Sequence, residues 1–271
     1  MASLLIVGGG KMGSALLGGL TASGWIDPAD VVVVEPVAER RAELEAAFTG
    51  LRTYSAPELG LLSDGGERPP GAVLATKPDV AEGACRALAV TGVTRVLSIV
   101  AGVPAQRLES ALGGQPVVVR AMPNTAALVG AGVTVIAGGS FATSADLAWA
   151  EDVLSAVGTV IRLPERQLDA VTGLSGSGPA YLFLVAEAMI EAGVQMGLTR
   201  DVSHTLVVET MAGSAALLKQ TGREPAALRA EVTSPAGTTA AGIRALEARA
   251  IRSAFMEAVA AATERSRNLA R

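Results

Sequence analysis

A short segment near the C-terminal end of the chain combines hydroxyl side chains with a proline and a glycine. The segment 232–239 reads Val-Thr-Ser-Pro-Ala-Gly-Thr-Thr, and its candidate binding residues are Ser234, Gly237, Thr238 and Thr239. Apolar residues recur at helical spacing after it, so a tight turn leading into a helix is expected. Free backbone amides at a helix start attract a small anion, such as a carboxylate or a phosphate. Taken alone, the segment is explained equally well as a plain helix cap.

A glycine-rich motif near the N-terminus, Gly8-x-Gly10-x-x-Gly13, follows an apolar strand and opens a helix. In this context the first glycine permits a tight turn, the second lets a pyrophosphate approach the backbone, and the third lets helix and strand pack closely. The phosphates of a dinucleotide would lie at the helix N-terminus. Lys11 and Met12, inside the motif, are therefore assigned to cofactor binding together with the three glycines.

Glu35 ends the next apolar strand and supplies the acidic residue that such a motif requires. Its carboxylate is expected to accept hydrogen bonds from the adenosine ribose and to repel a 2′-phosphate, which favours NADH. Arg40 and Arg41 follow closely enough to accommodate a phosphate. The sequence therefore predicts NAD(P)H as cofactor, with a preference for NADH and with NADPH left open.

Further polar candidates follow other predicted strands. Thr76 and Lys77 follow one strand, Ala101 follows the next, and Asn124 follows a third. Because the carboxyl ends of parallel strands meet at one edge of a sheet, these residues are expected to contact the ribose and nicotinamide. Lys77 would serve equally as a solvated loop residue, and Asn124 as part of an Asx turn.

The segment 174–181, Leu-Ser-Gly-Ser-Gly-Pro-Ala-Tyr, is a second turn of small residues, and it precedes a long helix. Its glycines and hydroxyls would let a flat ring approach the backbone, with Ser177 as the substrate-binding candidate. A helix cap that doubles as an interdomain hinge is the alternative interpretation.

The elements that must position these residues alternate between strand and helix over the first part of the chain. This alternation predicts an α/β fold with a Rossmann-like, doubly wound parallel sheet in a dinucleotide-binding domain, 1–163. Segment 63–71 predicts a surface loop. Strands are expected near 3–7, 31–34, 51–54, 72–75, 95–100, 116–121, 132–137 and 158–163, and helices near 37–48, 79–89, 104–112 and 144–157.

Strand patterns end at Pro164, so residues 164–271 are expected to form an all-α domain that binds substrate and dimerises. Two of its helices are apolar around most of their circumference and need neighbours on most sides, which predicts at least a dimer. The helices are expected near 165–173, 178–197, 199–221, 224–231, 239–250 and 251–268.

Composition excludes several classes of function. A net charge of −4 and few aromatic residues disfavour nucleic-acid binding. The single cysteine, Cys85, rules out an internal disulfide and is expected to pack in a helix. The only histidine, His204, has no metal-ligating neighbours in sequence, so no metal is predicted. No leader and no membrane span are apparent, and a cytoplasmic location is expected.

Three stretches, Arg-Ala-Met-Pro-Asn-Thr at 120–125, Ser-Gly-Ser-Gly-Pro-Ala-Tyr at 175–181 and the segment 232–239, together resemble the pyrroline-5-carboxylate reductase family. The resemblance spans the whole chain, in order. It implies reduction of the cyclic imine L-Δ1-pyrroline-5-carboxylate to L-proline by NADPH or NADH, the last step of proline biosynthesis. It also implies a homodimer, intertwined through the helical domain, that can assemble into a homodecamer.

Carried over by position, the resemblance implies that Ser234, Gly237 and Thr238 hold the substrate carboxylate and that the Thr239 hydroxyl meets the ring nitrogen. The family usually has Gly-Gly after the proline, whereas this chain has an alanine at 236. A left-handed backbone would be strained at an alanine, so residue 236 is expected not to adopt one.

Two other functions are compatible with parts of the sequence. A 3-hydroxyacid dehydrogenase needs a lysine carried on a helix near its substrate, and the only candidate, Lys219, lies at a helix end without the expected neighbours. A non-catalytic, dinucleotide-sensing protein would need only the cofactor loop. The hydroxyls at 234, 238 and 239 argue against that alternative.

Overall fold

The computed structural model describes residues 3–58, 61, 71–114 and 116–269. The loop predicted at 63–71 lies outside these residues, except for Gly71. The chain forms two compact units, Met1–Ser177 together with Ala261–Arg271, and Gly178–Ala260. The predicted domains follow a different criterion, the change from mixed to purely helical structure at Pro164, and they stay a prediction.

An eight-stranded sheet forms the centre of the first unit, in the order β3-β2-β1-β4-β5-β6-β7-β8. β1 pairs in parallel with both β2 and β4, with Ile6 opposite Val33 and Val73. The direction of winding therefore reverses between β1 and β4, which confirms the predicted Rossmann-like, doubly wound sheet. The strands are β1 Leu4–Val7, β2 Val31–Val34, β3 Arg52–Tyr54, β4 Gly71–Leu74, β5 Arg95–Ser98, β6 Val117–Met122, β7 Gly132–Gly138 and β8 Gly158–Arg162.

The sheet departs from the predicted parallel arrangement at β7, which pairs antiparallel with β6. Only residues 123–131 join the two strands, and they include a short 3-10 helix, Thr125–Val129. A parallel connection needs a crossover of about a dozen residues or more. The chain therefore turns back directly, and β8 then pairs in parallel with β7 after a helical crossover.

Helices cover both faces of the sheet because its strands alternate between two apolar clusters. Leu5 and Val7 face one cluster, and Leu4 and Ile6 face the other. Cys85 is fully buried in the first cluster, where burial raises the pKa of its thiol to about 11. Its predicted packing role is confirmed. The helices are α1 Lys11–Ala22, α2 Ala38–Ala47, α3 Pro78–Leu88, α4 Ala105–Ala111, α5 Ser144–Ser155 and α6 Leu168–Val171.

The helices of the second unit bury little of their apolar surface within one chain. Ile190 and Val207 are buried, whereas Phe183, Leu184 and Met256 are 69%, 65% and 71% exposed. None of the helices in the described part of the chain is long and apolar enough to cross a bilayer. The helices are α7 Gly178–Gln195, α8 Arg200–Thr221, α9 Pro225–Glu231, α10 Thr238–Ala248 and α11 Ile251–Leu269, which ends in the first unit.

Candidate active site

The glycine loop between β1 and α1 is shaped by close packing. Gly8 has a φ of 110°, and a Cβ there would lie 2.5 Å from the Ala75 carbonyl oxygen. A Cβ on Gly13 would overlap the carbonyl oxygen of Gly8. At Gly10, by contrast, a Cβ would meet no atom of the described residues within 4 Å. The loop is therefore closed toward the protein and open at the position where a pyrophosphate would approach.

Gly9 is a functional residue that the motif alone does not single out. Its N–H donates to Oε2 of Glu35 at 2.9 Å, and a Cβ there would lie 2.6 Å from Cδ1 of Leu44. The other carboxylate oxygen of Glu35 accepts from the Val37 N–H at 3.0 Å. The signal in the sequence is the run of three glycines, in which the middle one must also lack a side chain.

Glu35 is buried at the end of β2, and its two internal hydrogen bonds leave each carboxylate oxygen with further acceptor capacity. Both nearby arginines are turned onto the backbone. Arg40 donates to the Gly9 carbonyl at 2.7 Å and to the Ser14 hydroxyl at 2.9 Å. Arg41 donates to the carbonyl of Glu35 at 2.8 Å.

A cleft of about 660 Å³ opens beside the glycine loop, on the side of β2 and α3. Its lining combines apolar residues and the loop backbone, such as Gly8, Pro36, Pro57 and Val80, with two hydroxyl residues and four charged ones: Ser55, Thr76, Asp79, Glu82, Arg86 and Arg107. Ligand pockets usually have this size and mainly apolar character. The cleft fits part of a dinucleotide.

Thr76, at the carboxyl end of β4, has a buried Oγ1 that finds no hydrogen-bond partner among the described residues. A buried hydroxyl without a partner is unusual and points to a missing ligand or water. Lys77 is exposed at the start of α3. Asn124 uses its side-chain oxygen to accept from the Val133 N–H at 3.2 Å, so its carbonyl fixes the start of β7. Its amide nitrogen and the second lone pair of its side-chain oxygen are left to meet a ligand.

The other predicted cofactor residues lie at the same edge of the sheet. Lys11 is exposed in the first turn of α1, whereas Met12 is partly buried and packs against the apolar cluster beneath the helix. Ala101 is partly buried in the turn after β5. Met12 therefore offers a ligand its backbone rather than its side chain.

The predicted turn of small residues before α7 is helical in the structure. Residues Thr172–Gly176 form a π-helical turn, in which the Ser177 N–H donates to the Thr172 carbonyl at 2.8 Å. A Cβ on Gly176 would lie 2.6 Å from Cε of Met122, so the wide turn packs tightly against the end of β6. The small-residue turn predicted between the helices 165–173 and 178–197 is therefore itself helical, because small residues allow a widened helical turn as readily as a loop. Such turns are frequent at functional sites, and Ser177 follows directly, partly buried.

In the second unit, the turn before α10 has the backbone that the sequence argued against. The Gly237 N–H donates to the Ser234 carbonyl at 3.1 Å, and Ala236 has a φ of 59°. Pro235 fixes its own φ near −65°, which suits the second position of a type I or a type II turn, and the positive φ at Ala236 makes this turn type II. The expectation for residue 236 is therefore wrong, because the turn holds an alanine in a left-handed backbone.

This turn brings four of the five predicted substrate residues, all except Ser177, together at the start of α10. A Cβ on Gly237 would overlap Oγ of Ser234, so the hydroxyl lies directly against the glycine. Gly237 is the N-cap of α10, and no side chain in the described part of the chain caps the helix. Thr238 and Thr239 are exposed in its first turn. Because the Gly237 N–H closes the turn, the arrangement offers the amides of Thr238 and Thr239 and the nearby hydroxyls to a small anion.

Other candidate chemistry is absent from the described residues. They contain no group of three or more His, Cys, Asp or Glu side chains placed to hold a metal ion. His204 is exposed on α8, and Lys219 is exposed in the last turn of the same helix. Neither has the surroundings of an acid or base at a binding site.

Two family models match the chain. One, described as NADP oxidoreductase, coenzyme F420-dependent, matches residues 3–102. The other, described as pyrroline-5-carboxylate reductase dimerisation, matches residues 165–269. A dinucleotide-binding sheet joined to a helical dimerisation domain defines the chain as an NAD(P)-dependent oxidoreductase that forms oligomers.

Relatives extend the likeness over the whole chain. The pyrroline-5-carboxylate reductase of Synechocystis sp. is 41% identical over 266 residues, which cover 97% of both chains. The enzyme of Thermus thermophilus is 40% identical over 267 residues, which cover 98% of both chains. The chain belongs to the pyrroline-5-carboxylate reductase family, which confirms the resemblance seen in the sequence.

Solved structures agree. The pyrroline-5-carboxylate reductase of Coxiella burnetii has a TM-score of 0.89 at 33% identity, covering 100% of this chain and 99% of that one. The Plasmodium falciparum pyrroline carboxylate reductase, solved with NADP bound, has a TM-score of 0.86 at 30% identity, covering 100% and 98%. The predicted fold class, an α/β sheet followed by a helical dimerisation domain, is confirmed.

Proposed function

We propose that this protein reduces L-Δ1-pyrroline-5-carboxylate to L-proline with NAD(P)H, as the last step of proline biosynthesis. The observation that carries the proposal is the turn before α10. In a member of this reductase family, it gathers Ser234, Gly237, Thr238 and Thr239 at a helix start that no side chain in the described part of the chain caps.

The carboxylate of the imine binds at this helix start. Its charge is stabilised by the positive end of the helix dipole and by the first-turn amides of Thr238 and Thr239, with Gly237, whose N–H closes the turn onto Ser234, as a backbone contact. The hydroxyl of Ser234 lies against Gly237 and adds a donor on the same side. A cyclic acid held in this way has its ring beside the next residue, Thr239.

Thr239 contacts the ring nitrogen. The imine carbon is already electrophilic once that nitrogen is protonated, so no histidine or carboxylate base is required. When bound, NAD(P)H supplies a hydride to this carbon. The protein contributes mainly by orientation, which is worth up to about 7–11 kcal/mol in favourable cases, and by donors fixed in advance of the reaction. Thr239 orients or protonates the nitrogen.

The dinucleotide binds at the glycine loop of the first unit, with Gly8, Gly10 and Gly13 along the pyrophosphate and Glu35 at the ribose. Buried Glu35 favours NADH over NADPH, because a carboxylate repels a 2′-phosphate. Thr76 offers its unpartnered hydroxyl to the same ligand. Lys77, Ala101 and Asn124, at the same edge of the sheet, are further cofactor contacts.

The working form is a homo-oligomer, a homodimer or a homodecamer, built through the helical domain, 164–271. The open apolar faces of α7 and α8 support this proposal, since their side chains would otherwise remain in water. The location is cytoplasmic. No nucleic-acid partner is included in the proposal, because a negative net charge disfavours binding to phosphates.

One assay tests the function. The absorbance of reduced nicotinamide is followed with pyrroline-5-carboxylate, with a 3-hydroxyacid and oxidised cofactor, and with dinucleotide alone. Oxidation of NAD(P)H that depends on the imine is expected. Turnover of the 3-hydroxyacid, or binding of dinucleotide without any turnover, would overturn the proposal. Comparing kcat/KM for NADH and NADPH decides the role of Glu35.

A further inference from the structure

The backbone N–H and the backbone carbonyl of Gly9 each form a hydrogen bond with a side chain that is distant in sequence. The N–H donates to Oε2 of Glu35 at 2.9 Å, and this bond is buried. The carbonyl accepts from Nε of Arg40 at 2.7 Å. Glu35 follows β2 and Arg40 lies in α2, so these two bonds tie the cofactor loop to the second strand–helix unit.

Arg40 also reaches the first turn of α1. Its Nη2 donates to the Ser14 hydroxyl at 2.9 Å, and that hydroxyl donates to the Gly10 carbonyl at 2.9 Å. Its Nη1 pairs with Glu43 at 2.7 Å. Each of the three guanidinium nitrogens therefore has a partner within the protein. One side chain connects Gly9, Gly10 and Ser14, the residues around the helix start.

We propose that Arg40 is a positioning residue for dinucleotide binding, which acts through Gly9 and Ser14 and is not a ligand of a 2′-phosphate. The inference rests on the proposed function only in taking NAD(P)H as the ligand. A loop held in its binding shape before the ligand arrives loses less conformational freedom on binding. Because the pyrophosphate is common to both cofactors, losing this support weakens NADH and NADPH by the same factor.

The test uses the full-length variants Arg40→Met and Arg40→Lys. Equilibrium Kd values for NADH and NADPH are measured from the fluorescence of the reduced nicotinamide, beside thermal melting. Arg40→Met is expected to raise both Kd values about tenfold, as for the loss of a charged hydrogen bond. Arg40→Lys keeps one donor and is expected to restore part of the affinity. With the imine as substrate, kcat at saturating dinucleotide stays unchanged.

Arg52→Met is the matched control, because Arg52 lies on β3, donates to Ala29 at 3.5 Å and carries the same charge. Its Kd values should match those of the wild type. Weakening of NADPH alone would identify Arg40 as a phosphate ligand and overturn the proposal, as would unchanged affinity for both cofactors.

If Arg40→Met does not fold, the Kd values of Arg40→Lys provide the test. An equal rise for NADH and NADPH supports the proposal, and a rise for NADPH alone overturns it. The titrations need no imine. They would therefore still test the role of Arg40 if the protein did not reduce pyrroline-5-carboxylate.

Discussion

Two helices of this chain, α1 and α10, have a glycine as N-cap, and no side chain among the described residues caps either helix. The two helix starts differ in the contacts that fix their backbone. Gly10 before α1 and Gly237 before α10 are both extended, with ψ of −172° and 172°. The loop before α1 is fixed by neighbouring glycines, by Glu35 and by Arg40. The turn before α10 is exposed, and one backbone hydrogen bond closes it around a left-handed alanine.

The difference shows two ways of presenting helix amides to an anion. The cofactor loop is built by one compact unit with its own closed core, so its shape is set within a single chain. The substrate turn belongs to a unit whose apolar faces are open in one chain. On the proposed function, the first site depends on packing inside the sheet domain and the second on assembly of the helical domain.

The largest expected effect tests the dependence on assembly. Phe183→Asp, which replaces an exposed apolar residue of α7 by a charge, is expected to weaken self-association by about 4 kcal/mol, because an unpaired carboxylate would be buried at the interface. Sedimentation velocity measures the change. Phe141→Asp is the control, since Phe141 is 61% exposed but lies in the first unit. An unchanged oligomeric state in Phe183→Asp would contradict the dependence of the second unit on assembly through α7.

The next effect tests the closed packing of the cofactor loop. Gly13→Ala places a Cβ onto the Gly8 carbonyl and is expected to lower the free energy of unfolding by about 3 kcal/mol. Gly10→Ala meets open space and should leave stability within about 0.5 kcal/mol, while dinucleotide affinity falls because the new methyl group blocks the pyrophosphate. Denaturant unfolding and dinucleotide titration separate the two. Equal destabilisation by both variants would contradict the assigned roles.

A third prediction concerns the substrate turn. Thr239→Ala is expected to lower kcat about a hundredfold, the low end of what a positioned proton donor contributes, with the Kd for NADH unchanged. Thr233→Ala is the matched control in the same segment, because the Thr233 hydroxyl is already used, donating to the Arg229 carbonyl at 2.6 Å. If Thr239→Ala abolished dinucleotide binding instead, the assignment of Thr239 to the substrate would be wrong.

Local pattern was enough to predict most of the sheet domain. Apolar runs and the glycine motif predicted its strands, the doubly wound strand order and the position of Glu35 after β2. These features follow from residues that are close in sequence. The antiparallel orientation of β7 was not predicted, since a strand rich in Val and Ile has the same sequence pattern in a parallel and in an antiparallel pair. Arg40 was weighed only as a phosphate ligand, because its bond to Gly9 joins residues far apart in sequence.

The helical unit was predictable in its elements and less so in its turns. The bounds of α7 to α11 lie close to the predicted ones. The π-helical turn at Thr172–Gly176 was missed because glycine and serine favour several backbones equally. The backbone of Ala236 was mispredicted because a preceding proline is compatible with both type I and type II turns, and the sequence does not distinguish them. At residue 236 the geometry of the turn overrides the preference of alanine for a negative φ.

The smallest expected effect measures what that turn geometry costs. Ala236→Gly removes the steric strain of a left-handed alanine, about 1–2 kcal/mol, while it adds flexibility to the unfolded chain, about 0.5–1 kcal/mol. A net stabilisation of up to about 1 kcal/mol is expected, with kcat/KM unchanged because the turn keeps its shape. Ala250→Gly, at the other left-handed alanine in the described residues, should behave alike, since its φ is 54°. Destabilisation in both variants would mean that neighbouring contacts of the two methyl groups outweigh the backbone strain, and the substrate turn would then be as firmly packed as the cofactor loop.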